Sequence, residues 1–141
     1  MDKVTHLGIL IDRVTELLGR FERDALSRGS LQELSYSEIQ TLKAAAELGE
    51  GKINEIADRV GLARPSMTAV IDKMEEKGLL HRKRSLEDRR AVHIILTEKG
   101  AKLNEEHLRI HHIMAEQILK TLEESEQEAL IKGLEKIIGI G

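Results

Sequence analysis

No cysteine occurs in the sequence, which excludes a disulfide framework, a thiol nucleophile, thiol-based redox sensing and a cysteine-based zinc knot. There is no tryptophan, and phenylalanine, tyrosine and proline occur once each. Such a shortage of aromatic residues argues against a β-sandwich and for helices. No apolar run approaches the roughly 20 residues that span a bilayer. The opening Met1-Asp2-Lys3-Val4-Thr5-His6 lacks the apolar core of a secretion signal. The expectation is a cytoplasmic protein without membrane contact. What is present suits a folded chain of 141 residues, 40% hydrophobic and 33% charged, with one domain or one domain and a modest extension.

The net charge of -3 argues weakly against nucleic acid as a partner. That average conceals an asymmetry. Between Lys52 and Leu96 ten basic residues face seven acidic ones, and between Lys77 and Arg90 the ratio is six to two. A basic patch on an acidic body is compatible with docking one face onto a phosphate backbone.

Apolar periodicity divides the chain into helices. Leu7, Leu10, Ile11, Val14, Leu17, Leu18, Phe21 and Ala25 recur at spacings of three and four, predicting a helix over 4–26. Ser35 and Glu38 have capping-box spacing ahead of a helix over 37–48. A short helix follows over 53–60, closed by Gly61. Another runs over 64–77, with Pro65 tolerated in its first turn and Gly78 placed just past its end. The period then shortens. Residues 79–84 and 91–96 read as two strands of a hairpin whose tip is Ser85-Leu86-Glu87-Asp88-Arg89-Arg90. Thr97 can cap a long helix over 98–122, and Ser125 a last one with Glu128 at its third position.

Three short helices followed by a basic hairpin make a winged helix-turn-helix. One helix fits the major groove and presents its first turns to base edges. A basic hairpin tip reaches the adjacent minor groove or its phosphates. The fold is thus mainly α with a small β-hairpin wing. Residues 35–96 form the DNA-binding domain, while 1–34 and 97–141 form a helical dimerisation region. The long terminal helices carry more apolar surface than so small a domain covers, which predicts a homodimer. Two copies would read two half-sites of a pseudo-palindromic operator about one helical turn apart.

The chain resembles the MarR family of bacterial transcriptional regulators over nearly its whole length. The resemblance is densest from Ile53-Asn54-Glu55-Ile56-Ala57 through Gly61-Leu62-Ala63-Arg64-Pro65-Ser66-Met67-Thr68 and Ile71-Asp72-Lys73-Met74. Its most specific parts are Asp88-Arg89-Arg90 and Leu96-Thr97-Glu98-Lys99-Gly100. The resemblance implies that residues 64–70 begin the recognition helix. Arg64, Ser66, Met67 and Thr68 are then the contact candidates, with Met67 suited to a thymine methyl or to the core. It further implies that Arg90 enters the minor groove, that Arg89 meets phosphate, and that Asp88 pairs with a nearby arginine to hold the wing. Arg82 and Arg84 share one side of their strand and join the DNA-binding set, with Lys83 opposite.

Members of the family are similar in using a cleft between the winged domain and the dimerisation helices for an effector. The stretches Arg28-Gly29-Ser30, Glu87–His93 and Lys132-Gly133-Leu134 look similar to the branch that represses fatty-acid synthesis genes in Gram-positive bacteria. In that branch, long-chain acyl groups on acyl carrier protein act as corepressor. The resemblance implies an apolar effector pocket lined by Leu17, Phe21, Leu31, Leu34, Ile39 and Ile110, residues that equally suit a core. A small lipophilic ligand is the alternative.

His107 and His111 are four apart on one helix face, the spacing of a metal pair. With Glu106 they resemble part of the site of the family's zinc-uptake repressors. Arg28 and Gln40 stand where further ligands would be, and only Glu22 remains as a carboxylate. The expectation is therefore no metal and no cofactor. Glu106 and His107 could be imagined as an acid and a base, but no phosphate loop or positioned nucleophile accompanies them, which argues against an enzyme. The competing class is a winged-helix module for protein contacts without DNA readout. The intact basic wing favours a DNA-binding regulator, most often a repressor in this family.

Overall fold

A computed structural model describes every residue except Arg89, Ile140 and Gly141. The chain divides into two compact units, Met1–Glu22 with Arg109–Gly141, and Arg23–Leu108. The division falls inside two long helices. Leu31 and Leu103 are buried at 3% and 6% exposure, so segments beside the winged domain contribute to its core.

In the second unit a 3₁₀ turn, Gly29–Glu33, precedes α2, Tyr36–Leu48. The expected capping box forms: the Glu38 amide donates to Ser35 Oγ at 3.2 Å, and the Ser35 amide donates to Glu38 Oε1 at 3.3 Å. Helices α3, Ile53–Val60, and α4, Arg64–Glu76, follow. Gly78 ends α4 at φ +73°, a conformation that any side chain would strain, and the Leu79 amide turns back to the Met74 carbonyl at 2.9 Å.

The wing consists of β2, Leu80–Arg84, and β3, Val92–Leu96. It is more than the expected hairpin. A two-residue strand β1, Gly51–Lys52, pairs antiparallel with β3, giving the sheet order β1-β3-β2. Two residues are too few to show alternation, so this strand is not legible in the sequence. Register places Lys52 and Lys83 on either side of His93, and Arg82 opposite Ile94. Leu42, Ile56, Ile71, Met74, Leu80 and Ile94 are the inward residues of α2, α3, α4 and the sheet, each at 1% exposure or less. Burying such a side chain contributes about 1.5–3 kcal/mol.

Helix α5, Glu98–Lys120, starts on Thr97 as expected, whose Oγ1 accepts the Gly100 amide at 3.1 Å. In the first unit α1, Lys3–Leu26, contributes residues up to Glu22, alongside the second half of α5 and all of α6, Glu124–Ile138. The last helix begins ahead of the expected Ser125 cap. Glu126 Oε1 accepts the Glu123 amide at 3.0 Å, and Gln127 Nε2 donates to the carbonyls of Leu119 and Leu122, so the turn closes two residues earlier. Neither α1 nor α6 has a buried residue. Leu7, Ile11, Val14 and Leu17 of α1, and Ile131, Leu134 and Ile138 of α6, all stand at least 48% exposed.

Candidate nucleic-acid interface

Helix α4 presents its first turns from an N-terminus that no side chain caps. Arg64 and Ser66 are exposed there, and Thr68 is half-buried with its hydroxyl donating to the Arg64 carbonyl at 3.0 Å. Of the two places open to Met67, it takes the core: it is fully buried at 0% exposure, with the Thr41 hydroxyl 3.8 Å from its sulfur. The residue lies on the inward stripe shared with Ile71 and Met74, which i, i+4 and i+7 spacing dictates.

The wing tip is held by its own polar groups. Ser85 Oγ accepts the amides of Glu87 and Asp88 at 3.2 and 3.3 Å. Asp88 Oδ1 accepts the Arg90 amide at 3.0 Å, and the Ala91 amide returns to the Asp88 carbonyl at 3.0 Å. Asp88 thus shapes the wing through the backbone of Arg90. Arg90 itself is exposed. Arg89 lies outside the described residues.

Between wing and recognition helix lies an open cleft of about 360 Å³, lined by Lys52, Asn54, Arg64, Arg82, Asp88 and Arg90 among others. Lys52, Arg64 and Arg90 against Asp88 give it the charge of a phosphate-binding groove, while Arg82 is paired with carboxylates of α4. Lys52 and Asn54 were not among the sequence candidates. They reach the cleft because β1 joins β3, a pairing that the two-residue strand did not announce. Arg84 is exposed on the same strand as Arg82 and lines a neighbouring recess with Glu50, Lys83 and His93. His93 Nδ1 lies 2.6 Å from the Glu50 carbonyl and Lys83 Nζ 3.6 Å from Glu50 Oε1.

Arg82 differs from the other arginines. Its guanidinium bonds Asp72 Oδ1 at 2.5 Å and Glu75 Oε1 at 2.7 Å, both on α4. The hydrogen bond to Asp72 raises the guanidinium pKa above its already high ordinary value, against the opposing effect of partial burial.

The remaining sequence candidates are divided between the two units. Leu31 and Ile39 are buried in the core of the second, and Leu34 is half-buried there. Leu17 and Phe21 line an apolar groove of about 490 Å³ within the first unit, with Leu18, Ile113, Met114 and Ile118. Ile110 is buried at 9% exposure. His107 is buried, while His111 is exposed one turn further along α5, its Nε2 3.6 Å from Glu22 Oε1. Among the described residues no helix is long and apolar enough to cross a membrane.

Comparison with known proteins agrees with this geometry. The MarR family model matches residues 34–92. The chain is 33% identical over 104 residues to the HTH-type transcriptional regulator MhqR of Bacillus subtilis, covering 74% of this chain and 72% of that protein. Its fold matches Streptococcus pneumoniae FabT, solved in complex with DNA, with a TM-score of 0.83 and 25% identity over 98% of this chain and 96% of that one. A MarR family protein from Bacillus stearothermophilus shares the fold at a TM-score of 0.84 and 24% identity, over 99% and 96% of the two chains.

The family model, the regulator relative and the DNA-bound structural match together make this chain a DNA-binding transcriptional regulator. This chain belongs to the MarR family.

Proposed function

We propose that the protein acts as a homodimer on a pseudo-palindromic operator, as a repressor whose DNA affinity is changed by a small lipophilic or acyl-type effector. The cleft lined by Lys52, Arg64 and Arg90 carries the DNA part of this reading, because it joins the wing to the first turn of α4 in one basic surface. Arg64 and Ser66 are assigned to the major groove, together with Thr68 once its hydroxyl leaves the Arg64 carbonyl. Arg90 is assigned to the minor groove, and Arg84, Arg89, Lys52 and Asn54 to the backbone.

Dimerisation is supported by α1 and α6, which have no buried residue within the chain yet carry exposed apolar side chains. The groove of Leu17, Phe21, Ile113 and Met114 supports an apolar effector, which would act by favouring one spacing of the two recognition helices. A cytoplasmic location follows from this role.

The deciding experiment is selection of duplexes from fragmented genomic DNA by the purified protein at near-physiological salt. Recovery of a shared inverted repeat is the expected result, and Arg90→Ala should weaken binding to it. Enrichment of no motif by a folded dimer would sink the reading. Titrating the bound complex with acyl–acyl carrier protein and with a phenolic compound then separates the two effector classes.

A further inference from the structure

We propose that Arg82 is a positioning residue that fixes the wing against the recognition helix, and not a DNA contact. The inference rests on the helix-and-wing face being the DNA surface. Both terminal nitrogens of its guanidinium are engaged by α4, Nη2 by Asp72 at 2.5 Å and Nη1 by Glu75 at 2.7 Å. Its backbone amide donates to the second oxygen of Glu75 at 3.3 Å. One arginine and one carboxylate therefore meet through both side chain and main chain.

The position of this fork matters. β2 is an edge strand, paired only with β3, so the Arg82 amide would otherwise face outward unpaired by the sheet. Arg82 stands opposite fully buried Ile94, at the middle of the strand pair that carries the tip. Asp72 and Glu75 lie on α4 one to two turns beyond Thr68. The fork thus links the helix that carries Arg64 and Ser66 to the strand that leads to Arg90. A DNA duplex must meet both at once, so the angle between them sets how well the two groups of contacts register.

Charge points the same way. The Arg82 side chain is 28% exposed, whereas those of Asp72 and Glu75 are 59% and 42% exposed. A phosphate approaching Arg82 meets two carboxylates that outnumber it and stand nearer to solvent. Such a group repels a phosphate more than it attracts one. Exposed ion pairs add little to global stability, so losing the fork leaves a folded domain with a less constrained wing. Lysine cannot reproduce the contact, because an ammonium does not present two parallel donors.

The test compares full-length dimers of Arg82→Gln, Arg82→Lys and the double variant Asp72→Asn/Glu75→Gln. Each is titrated with a duplex that the wild-type protein selects from a randomised pool, at several salt concentrations. Melting curves confirm that each is folded. We expect all three to bind about tenfold more weakly, the scale of losing one wing contact, with the salt dependence unchanged. The sign for the double variant is the sharpest readout. If Arg82 contacts phosphate, neutralising two carboxylates beside the DNA tightens binding instead. Tighter binding there, retained affinity in Arg82→Lys, or a salt slope lowered by about 0.9 in Arg82→Gln would each overturn the proposal. An Arg90→Ala dimer that binds like wild type would overturn the DNA surface itself, whereas weak binding by Arg90→Ala beside wild-type affinity in the Arg82 variants would overturn only the positioning role.

Discussion

The Lys77 ammonium lies 2.7 Å from Oε2 of Glu38, a carboxylate that is only 5% exposed. The same ammonium reaches the Glu33 carbonyl at 3.3 Å, so the end of α4 is tied to the start of α2. Burial pushes the Glu38 carboxyl up. The hydrogen bonds from Lys77 and from Ser35 outweigh it and hold the pKa below the usual glutamate value of 4.5. A carboxylate held low in the folded state contributes stability above its unfolded pKa, and this is lost as pH falls through the folded value. Glu38→Gln should therefore destabilise the domain at neutral pH, by about 1–3 kcal/mol for a charge-assisted bond. The gap to wild type should hold above pH 4.5 and close below it, which urea melts at stepped pH would measure. A gap that persists unchanged at low pH would count against the ion pair.

Gly100 sits in the first turn of α5, where that helix meets the end of the turn after α4. A Cβ there would lie 2.0 Å from the Leu79 carbonyl oxygen, which is backbone and cannot move aside as a side chain could. The approach is held by Thr97, whose hydroxyl donates to the Gly78 carbonyl at 2.6 Å and whose amide donates to the Leu79 carbonyl at 3.0 Å. Gly100→Ala would force these bonds apart. It should cost about 3 kcal/mol or more, above the usual overpacking range because backbone must shift. Thermal unfolding should show a large fall in Tm. An unchanged Tm would mean that α5 starts farther from Leu79 than described.

Met67 gives a third test, because its two readings differ in what they disturb. As a core residue under Thr41, Met67→Ala should destabilise by about 2–5 kcal/mol. Met67→Leu conserves volume and should cost less than about 1.5 kcal/mol. DNA sequence preference should be unaltered in Met67→Leu. A changed preference in a stable Met67→Leu protein, read by selection of duplexes, would return the residue to the DNA face.

What could be read before the structure follows from which signals are local. The Ser35–Glu38 box, the Thr97 cap and the Gly78 stop all depend on residues within four positions, and all appear as expected. The start of the recognition helix came from the family resemblance, which left Met67 open between a thymine contact and the core; the stripe of Met67, Ile71 and Met74 is buried. The Arg82 fork was not legible. It depends on how β2 packs on α4, and a strand's alternation says which side a residue takes but not what waits there. Lys52 and Asn54 were missed for a related reason, since β1 is defined only by its partner β3. Among the described residues Asp88 holds the wing by accepting the Arg90 amide, a backbone contact that residue type does not encode.

The apolar faces of α1 and α6 give the last prediction. Leu134 is 50% exposed and Ile131 is 48% exposed, on a helix with no buried residue. An isolated helix of 15 residues is marginal in water without tertiary burial, so α6 needs a partner surface to persist. In a homodimer these side chains would be covered. Leu134→Glu places a charge at the centre of that surface, where leaving it unpaired costs several kcal/mol. Sedimentation equilibrium should then show monomers at concentrations where the wild type is dimeric. DNA binding should weaken strongly in the same variant, because one half-site supplies only part of the contacts of two. Ser125→Glu, beyond the apolar stripe of α6, serves as the charge control and should leave the dimer intact. A Leu134→Glu protein that remains dimeric and binds its duplex normally would rule out α6 as the interface.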